Sequence, residues 1–234
     1  MTDSYVSVDL ETTGLCTKRD KIIEIGAVRV QDGQIRDSFS CFVNPGRRLT
    51  EEISALTGIG QEQVDGARPI GQALPDFLDF AGELPLLGHR VLFDYSFLKR
   101  AAVNAGLSFE REGIDTLRLA RQFLPELESR RLPDLCAHFG IPIRPHRALE
   151  DARAAHLLYR ELAKRFYEEK AFSPAPLFYK VKKEGPATLR QKQRLRELNR
   201  AFGIAADYDV EMLTKNEASR LIDRILASHG SLQK

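Results

Sequence analysis

The sequence predicts an α/β protein, with a mixed sheet flanked by helices and a small helical module behind it. Three observations carry that prediction. Three β-patterned runs come first, between Tyr5 and Val43, and Gln31-Asp32-Gly33-Gln34 between the second and third is a hairpin turn. From Pro85 onward, short apolar strands alternate with helical patterns, which fits a sheet covered by helices. After a proline-broken stretch, Ser173-Pro174-Ala175-Pro176, the chain turns basic and helical.

The first strand is expected over Tyr5–Leu10. Side chains two apart share a strand face, so Val6, Val8 and Leu10 form an apolar face while Asp9 and Glu11 project together from the other. Strands follow over Ile22–Val30 and Ile35–Val43. Helices are expected over Glu51–Leu56 and Ile70–Phe80, a short strand over Pro85–Leu87 and a helix over Phe93–Ala105. An extended run over Ser108–Ile114 supplies the fifth strand, followed by helices over Thr116–Phe123 and Leu132–Phe139. Ala148, Ala152, Ala155, Leu158 and Leu162 recur at helical spacing and predict a long helix over Arg147–Tyr167. In the module, Leu189, Leu195, Leu198 and Phe202 mark a helix face that Gly203 ends. Thr214-Lys215-Asn216-Glu217 reads as a capping box opening a second helix, striped by Ala218, Leu221, Ile222, Ile225 and Leu226. Two short helices bury little alone, so they are expected to pack with Phe178, Tyr179 and Ile204 or to dock on the larger domain. The expected division is a domain over 1–172, a linker over 173–178 and a basic helical module over 179–234.

Composition narrows the function classes. The chain has 234 residues, 43% of them apolar, enough for one medium domain with a real core and a small one besides. Its net charge is only +2, so no global basic field points to nucleic acid. The charge is uneven, with 12 Lys/Arg against 7 Asp/Glu from Pro176 onward. That basic tail fits either a grip on nucleic acid or a partner, or the solvated face of a structural helical hairpin. Cys16, Cys41 and Cys136 are odd in number and scattered, which argues for a reducing interior rather than a disulfide scaffold. No leader peptide and no apolar run long enough for a membrane span are read, so the expected location is cytoplasmic.

Five residues stand out as candidates for chemistry: Asp9, Glu11, Asp94, His146 and Asp151. Two adjacent ionised carboxylates such as Asp9 and Glu11 repel, and a divalent cation with its preference for oxygen ligands removes the conflict. The alternative is an ordinary solvated strand end. Asp94 either caps the helix that follows it or brings a carboxylate to the same end of the sheet as Asp9. Asp151 lies in the first turns of the long helix, where the helix dipole favours a negative charge. His146 precedes that helix, where it is either a surface residue or a base able to approach a metal-bound water. The other histidines, His89, His138, His156 and His229, read as surface or packing residues.

Taken together, Asp9-Leu10-Glu11-Thr12-Thr13-Gly14-Leu15, Gly88-His89-Arg90-Val91-Leu92-Phe93-Asp94 and His146-Arg147-Ala148-Leu149-Glu150-Asp151-Ala152 resemble the DEDDh branch of the DEDD 3′→5′ exonucleases. The likeness is to the proofreading epsilon subunit of bacterial DNA polymerase III and its relatives. Ile22-Ile23-Glu24-Ile25-Gly26-Ala27-Val28, Val43-Asn44-Pro45-Gly46, Leu56-Thr57-Gly58-Ile59 and Ile114-Asp115-Thr116-Leu117 also resemble family signatures, and the likeness covers roughly residues 3 to 168. The resemblance implies a ribonuclease H-like fold with a mixed five-stranded sheet. It implies that Asp9, Glu11, Asp94 and Asp151 hold two divalent cations, Mg²⁺ or Mn²⁺, with Asp9 bridging both and His146 as general base. An imidazole suits that role because its intrinsic pKa of about 6.5 lies near neutrality. Thr12 is expected to seat the terminal nucleotide, with Leu15, Ile59 and Phe93 packing on its base or sugar. Where many relatives carry Asn, this chain has Arg90, which suits a phosphate contact instead.

The implied activity is metal-dependent hydrolysis of terminal phosphodiesters at nucleic-acid 3′ ends, releasing nucleoside 5′-monophosphates. Single-stranded or frayed DNA is the expected substrate in preference to RNA, in proofreading, repair or end-trimming, with a polymerase or repair partner. The competing expectation is an adaptor that binds nucleic acid or a polymerase mainly through its basic C-terminal module.

Overall fold

The computed structural model describes residues 2–230, so the last residues of the expected module, 231–234, lie outside it. A six-stranded mixed sheet runs in the order β3-β2-β1-β4-β5-β6. Strands β1 (Tyr5–Thr12), β2 (Ile22–Gln31) and β3 (Gln34–Phe42) form an antiparallel meander. Strand β4 (Leu86–Gly88) lies parallel to β1, and β5 (Glu112–Asp115) lies parallel to β4. At the far edge, β6 (Ala175–Pro176) pairs antiparallel with Glu112 and Gly113.

All five expected strands form. The sixth comes from the stretch read as a linker, because an edge position tolerates a proline that cannot donate to the ladder. Asp32 and Gly33 take φ of 52° and 71°, the pair of positive values that a two-residue hairpin of matching twist requires. The expected strand over Ser108–Ile114 forms only from Glu112. Its apolar start instead reflects Phe109, fully buried beside Phe77 and Tyr95.

The helices are α1 (Glu51–Thr57), α2 (Gln61–Asp65), α3 (Ile70–Ala81), α4 (Val91–Ala105), α5 (Thr116–Phe123), α6 (Leu132–Phe139), α7 (Ala148–Phe166), α8 (Glu169–Phe172), α9 (Leu189–Ala201) and α10 (Lys215–His229). The short helices α2 and α8 have too few residues to carry a periodic signal. One face of the sheet, with Val6, Val8, Leu10, Ile25 and Ala27, is covered by α3 and α4. The other, with Tyr5, Val28, Val30 and Ile114, is covered by α5, α6 and α7. Both faces of β1 are therefore buried, and the side bearing Asp9 and Glu11 looks toward α7 rather than into bulk water.

The module has its own small core of Leu195, Leu198, Leu213, Ala218 and Ile225. Both capping boxes, Thr188 with Gln191 and Thr214 with Glu217, open its helices. It also docks on the larger domain. Arg48 N–H donates to the Asp207 carbonyl at 2.8 Å, and Asp209 N–H donates to that of Gly46 at 2.7 Å. Glu217 takes Lys21 at 2.6 Å and Arg47 at 3.3 Å. Against the opposing effect of burial, the Lys21 cation and hydrogen bonds from Thr214 hold its carboxyl below the usual range. Of the three residues expected to join the module, Ile204 does so, Tyr179 packs on the larger domain instead, and Phe178 is 82% exposed. No helix among the described residues is long and apolar enough to cross a membrane.

Candidate active site

Strand alternation places Asp9 and Glu11 on the face of β1 that α7 covers. Ser7, on the same face, donates its hydroxyl to the Ala152 carbonyl at 2.7 Å and ties that helix to the strand. The tie brings Asp151, in the first turn of α7, over the two acids. One carboxylate oxygen from each of Asp9, Glu11 and Asp151 lies within 4.8 Å of the others.

Asp94 arrives from the opposite flank, in the first turn of α4 and 3% exposed. It does not cap its helix; that position belongs to Arg90, and the helix begins two residues earlier than expected. The Asp94 Oδ1 accepts the Leu10 N–H at 3.1 Å, pinning α4 to the strand between the two acids. Asp94 falls outside the close trio, but its charge acts on Asp9 more strongly than any other neighbour's.

The electrostatics follow from this crowding. Burial first, then Asp94, Asp151, Glu11 and Glu24, hold the Asp9 carboxyl well above the ordinary range. Burial, with Asp151 and Glu24, pushes Glu11 up to about 8. Asp151 is raised to about 6 by burial, an effect that the His146 backbone N–H moderates. Burial likewise raises Asp94, although the backbone N–H groups of Leu10 and Asp94 itself oppose the shift. Four carboxyls that cannot all ionise together without a counter-charge are a donor set suited to a hard divalent cation. The residues therefore fit such an ion.

His146 stands on the loop before α7 with an exposed side chain. Its backbone is left-handed, φ 68°, and its N–H donates to Asp151 Oδ2 at 2.8 Å. Arg90 is also left-handed, at φ 74°. Such backbone costs a non-glycine residue on the order of 1 kcal/mol or more, and here it occurs on both sides of the acid cluster.

The most informative residue not singled out from the sequence is Glu24. It sits directly across from Glu11 in the β1–β2 register and is 1% exposed. Its Oε1 accepts from the Arg147 guanidinium and its Oε2 from the Ala148 N–H, both at 3.1 Å. A strand carboxylate thus caps the N-terminus of the helix that carries Asp151. Two residues on, Gly26 faces the same helix, where an added Cβ would lie 2.1 Å from the Ala148 carbonyl carbon and the Leu149 nitrogen. An acid and a glycine on one face of an otherwise apolar strand were the available signal, since glycine in a strand marks close backbone approach.

The expected substrate contacts divide. Leu15 is 79% exposed on the β1–β2 connection. Thr12 is nearly buried, and its hydroxyl donates to the Gly14 carbonyl at 2.7 Å. Phe93 is partly buried, its ring 5.1 Å from Phe97, with the Arg90 guanidinium 5.7 Å above it. Ile59 requires correction. It is 1% exposed and packs in the core with Ile23 and Val64, because the α1–α2 turn folds inward at an apolar residue.

A mixed sheet carrying buried acids between its central strand and two flanking helices is a setting suited to metal-assisted hydrolysis. The chain belongs to the Exonuclease family (RNase_T), which matches residues 6–159. It is 40% identical over 168 residues to the DNA polymerase III PolC-type of Clostridium perfringens, covering 71% of this chain but only 12% of that protein. It is 43% identical over 152 residues to the PolC-type enzyme of Thermotoga petrophila, covering 64% of this chain and 11% of that one. Among solved structures, Exonuclease X in complex with 5′-overhanging duplex DNA matches at a TM-score of 0.54 and 25% identity, covering 71% of this chain and 96% of that one. Residues 6–159 are an exonuclease domain on a ribonuclease H-like fold.

Proposed function

We propose that this chain is a 3′→5′ exonuclease that hydrolyses the terminal phosphodiester of a nucleic-acid strand and releases nucleoside 5′-monophosphates, acting on DNA in preference to RNA. The observation that carries the reading is the trio of carboxylates within 4.8 Å, two of them raised, chiefly by burial, to about 8 and about 6. The intact acid set favours catalysis over a purely adaptor role.

Asp9, Glu11, Asp94 and Asp151 would hold two divalent cations, Mg²⁺ or Mn²⁺, since carboxylate donors suit these ions better than zinc. When bound, such ions supply activation of a water and neutralisation of charge on the departing oxygen. His146 takes the proton from the attacking water at its imidazole. Its backbone bond to Asp151 ties that base to one of the acids. Exposure of the imidazole gives the base access to solvent for returning the proton. Leu15 and Phe93 offer apolar surface to the terminal nucleotide, and Arg90 a cation to a phosphate. Thr12, its hydroxyl engaged with Gly14, shapes the turn over which that nucleotide lies.

Residues 1–172 would constitute the catalytic unit, with 179–234 a docked basic accessory. The chain spans about one eighth of the PolC-type polymerases it matches. A polymerase partner, with proofreading as the role, is the setting this similarity favours.

The deciding experiment is incubation with 3′-labelled single-stranded DNA and Mg²⁺ or Mn²⁺, with a chelator control. Mononucleotide release that vanishes in Asp9→Ala and His146→Ala supports the reading. Binding without metal-dependent release overturns it.

A further inference from the structure

A groove of about 420 Å³ opens at the N-terminus of α4, the helix that carries Asp94, and every charged residue lining it is basic. It is bounded by His89, Arg90, Arg121, Arg130 and Arg131. Two of these cations are engaged: Arg130 donates to the Leu124 carbonyl at 3.0 Å, and Arg131 pairs with Asp134 at 2.8 Å. Arg90 and Arg121 are exposed, and neither forms an ion pair with an acidic side chain among the described residues.

Asp115 directs one carboxylate oxygen at backbone. Its Oδ1 accepts from Leu117 at 2.9 Å, from Arg118 at 3.3 Å and from Arg90 at 3.0 Å. That last bond holds Arg90 in its left-handed conformation at the mouth of the groove. Asp94 follows four residues later, in the first turn of α4.

An acid cluster repels a polyanion, and the chain's net charge of +2 offers no compensating field. Affinity for a strand must then come from local cations placed next to the acids. We propose that this groove binds the phosphodiester backbone of the substrate strand on the 5′ side of the scissile linkage, with Arg121 as its anchor and Arg90 at its mouth. The inference rests on the exonuclease reading above. It extends that reading from the reacting linkage to the strand behind it.

The test uses the full chain, as wild type, Arg121→Ala and Arg121→Glu, with thermal unfolding to confirm that the exposed substitutions leave the fold intact. A labelled oligothymidylate of about twelve nucleotides, within the usual site size for single strands, is titrated in chelator across a salt series. Affinity should fall about fivefold in the alanine variant and more in the glutamate variant, and the alanine salt slope should become shallower by about 0.7, the value for one lost phosphate contact on a single strand. In manganese, the kcat/KM for the oligonucleotide relative to that for thymidine 5′-(4-nitrophenyl phosphate) should fall by a similar factor, because the ester is too short to enter the groove. Unchanged affinity, slope and ratio would overturn the proposal, as would equal losses on both substrates. If Arg121→Ala shows the expected loss of affinity and slope but wild type cleaves neither substrate, the exonuclease reading fails while the groove stands as a strand-binding surface.

Discussion

Replacing Asp9 with asparagine should stabilise the metal-free protein while abolishing its response to metal. Oxygens of Asp9, Glu11 and Asp151 lie within 4.8 Å of one another. At that separation two full charges repel by about 3 kcal/mol at an effective dielectric near 20. The Asp9→Asn change removes two of the three repulsive pairs in the trio, and the repulsion from Asp94 as well. The metal-free cluster already relieves part of this by retaining protons, as the elevated carboxyls show, so the expected net gain near pH 8 is about 1–3 kcal/mol. For a chain of this size that corresponds to a rise in Tm of about 2–6 °C.

The assay is thermal unfolding in chelator and in excess manganese. Wild type should gain about 2.7 kcal/mol when the ion is at about a hundredfold its Kd, and the variant should gain almost nothing. A variant that unfolds below wild type in chelator, or that retains the full manganese gain, would refute the like-charge account of the site.

Three further outcomes are expected. Glu24→Ala leaves the Ala148 N–H and Arg147 without their acceptor and should lower kcat with a weaker apparent affinity for manganese; Glu24→Gln, which can still accept one bond, should retain more of both, and equal loss in the two would argue against a positioning role. Gly26→Ala forces a Cβ against the first turn of α7 and should cost about 3 kcal/mol or more by chemical denaturation, whereas a cost below about 1 kcal/mol would contradict the close approach. His156, buried and hydrogen-bonded through Nδ1 to the Tyr5 hydroxyl at 2.9 Å, is held down at about 4, mainly by burial. Its contribution to stability is therefore complete above about pH 6.5 and is lost as pH falls toward 4, by about 3 kcal/mol in all. The raised carboxyls titrate with the opposite sign, so the effect is read as the wild-type curve minus that of His156→Gln. A flat difference between pH 7 and 4 would refute it.

Much of this fold was legible because period and punctuation are local. Alternation in Tyr5–Leu10, the Asp-Gly turn, and the helical spacing of Ala148 to Leu162 each report backbone conformation within a few residues. The boundaries moved where tertiary contacts decided them. Val91 joins α4 because the Asp115 carboxylate holds Arg90 in a conformation that ends the strand-to-helix turn. Ala175–Pro176 became a strand only because β5 offered an open edge. Ile59 was misplaced for a similar reason. A turn residue reads as exposed until its neighbours, here Ile23 and Val64, close over it.

The sequence by itself determined which chemical groups are present and their order: three acidic segments, a histidine five residues before the last aspartate, and an arginine ahead of Asp94. It could not determine their separations. Coulomb energy falls with distance through space, and Glu24, thirteen residues after Glu11, becomes its direct neighbour only through the antiparallel register. The tertiary structure alone decided that a strand carboxylate caps the helix bearing Asp151. It also decided that two guanidinium groups, neither with a carboxylate partner among the described residues, share one groove at the start of the helix that carries Asp94. Both are properties of surfaces assembled from distant segments, and no local pattern encodes them.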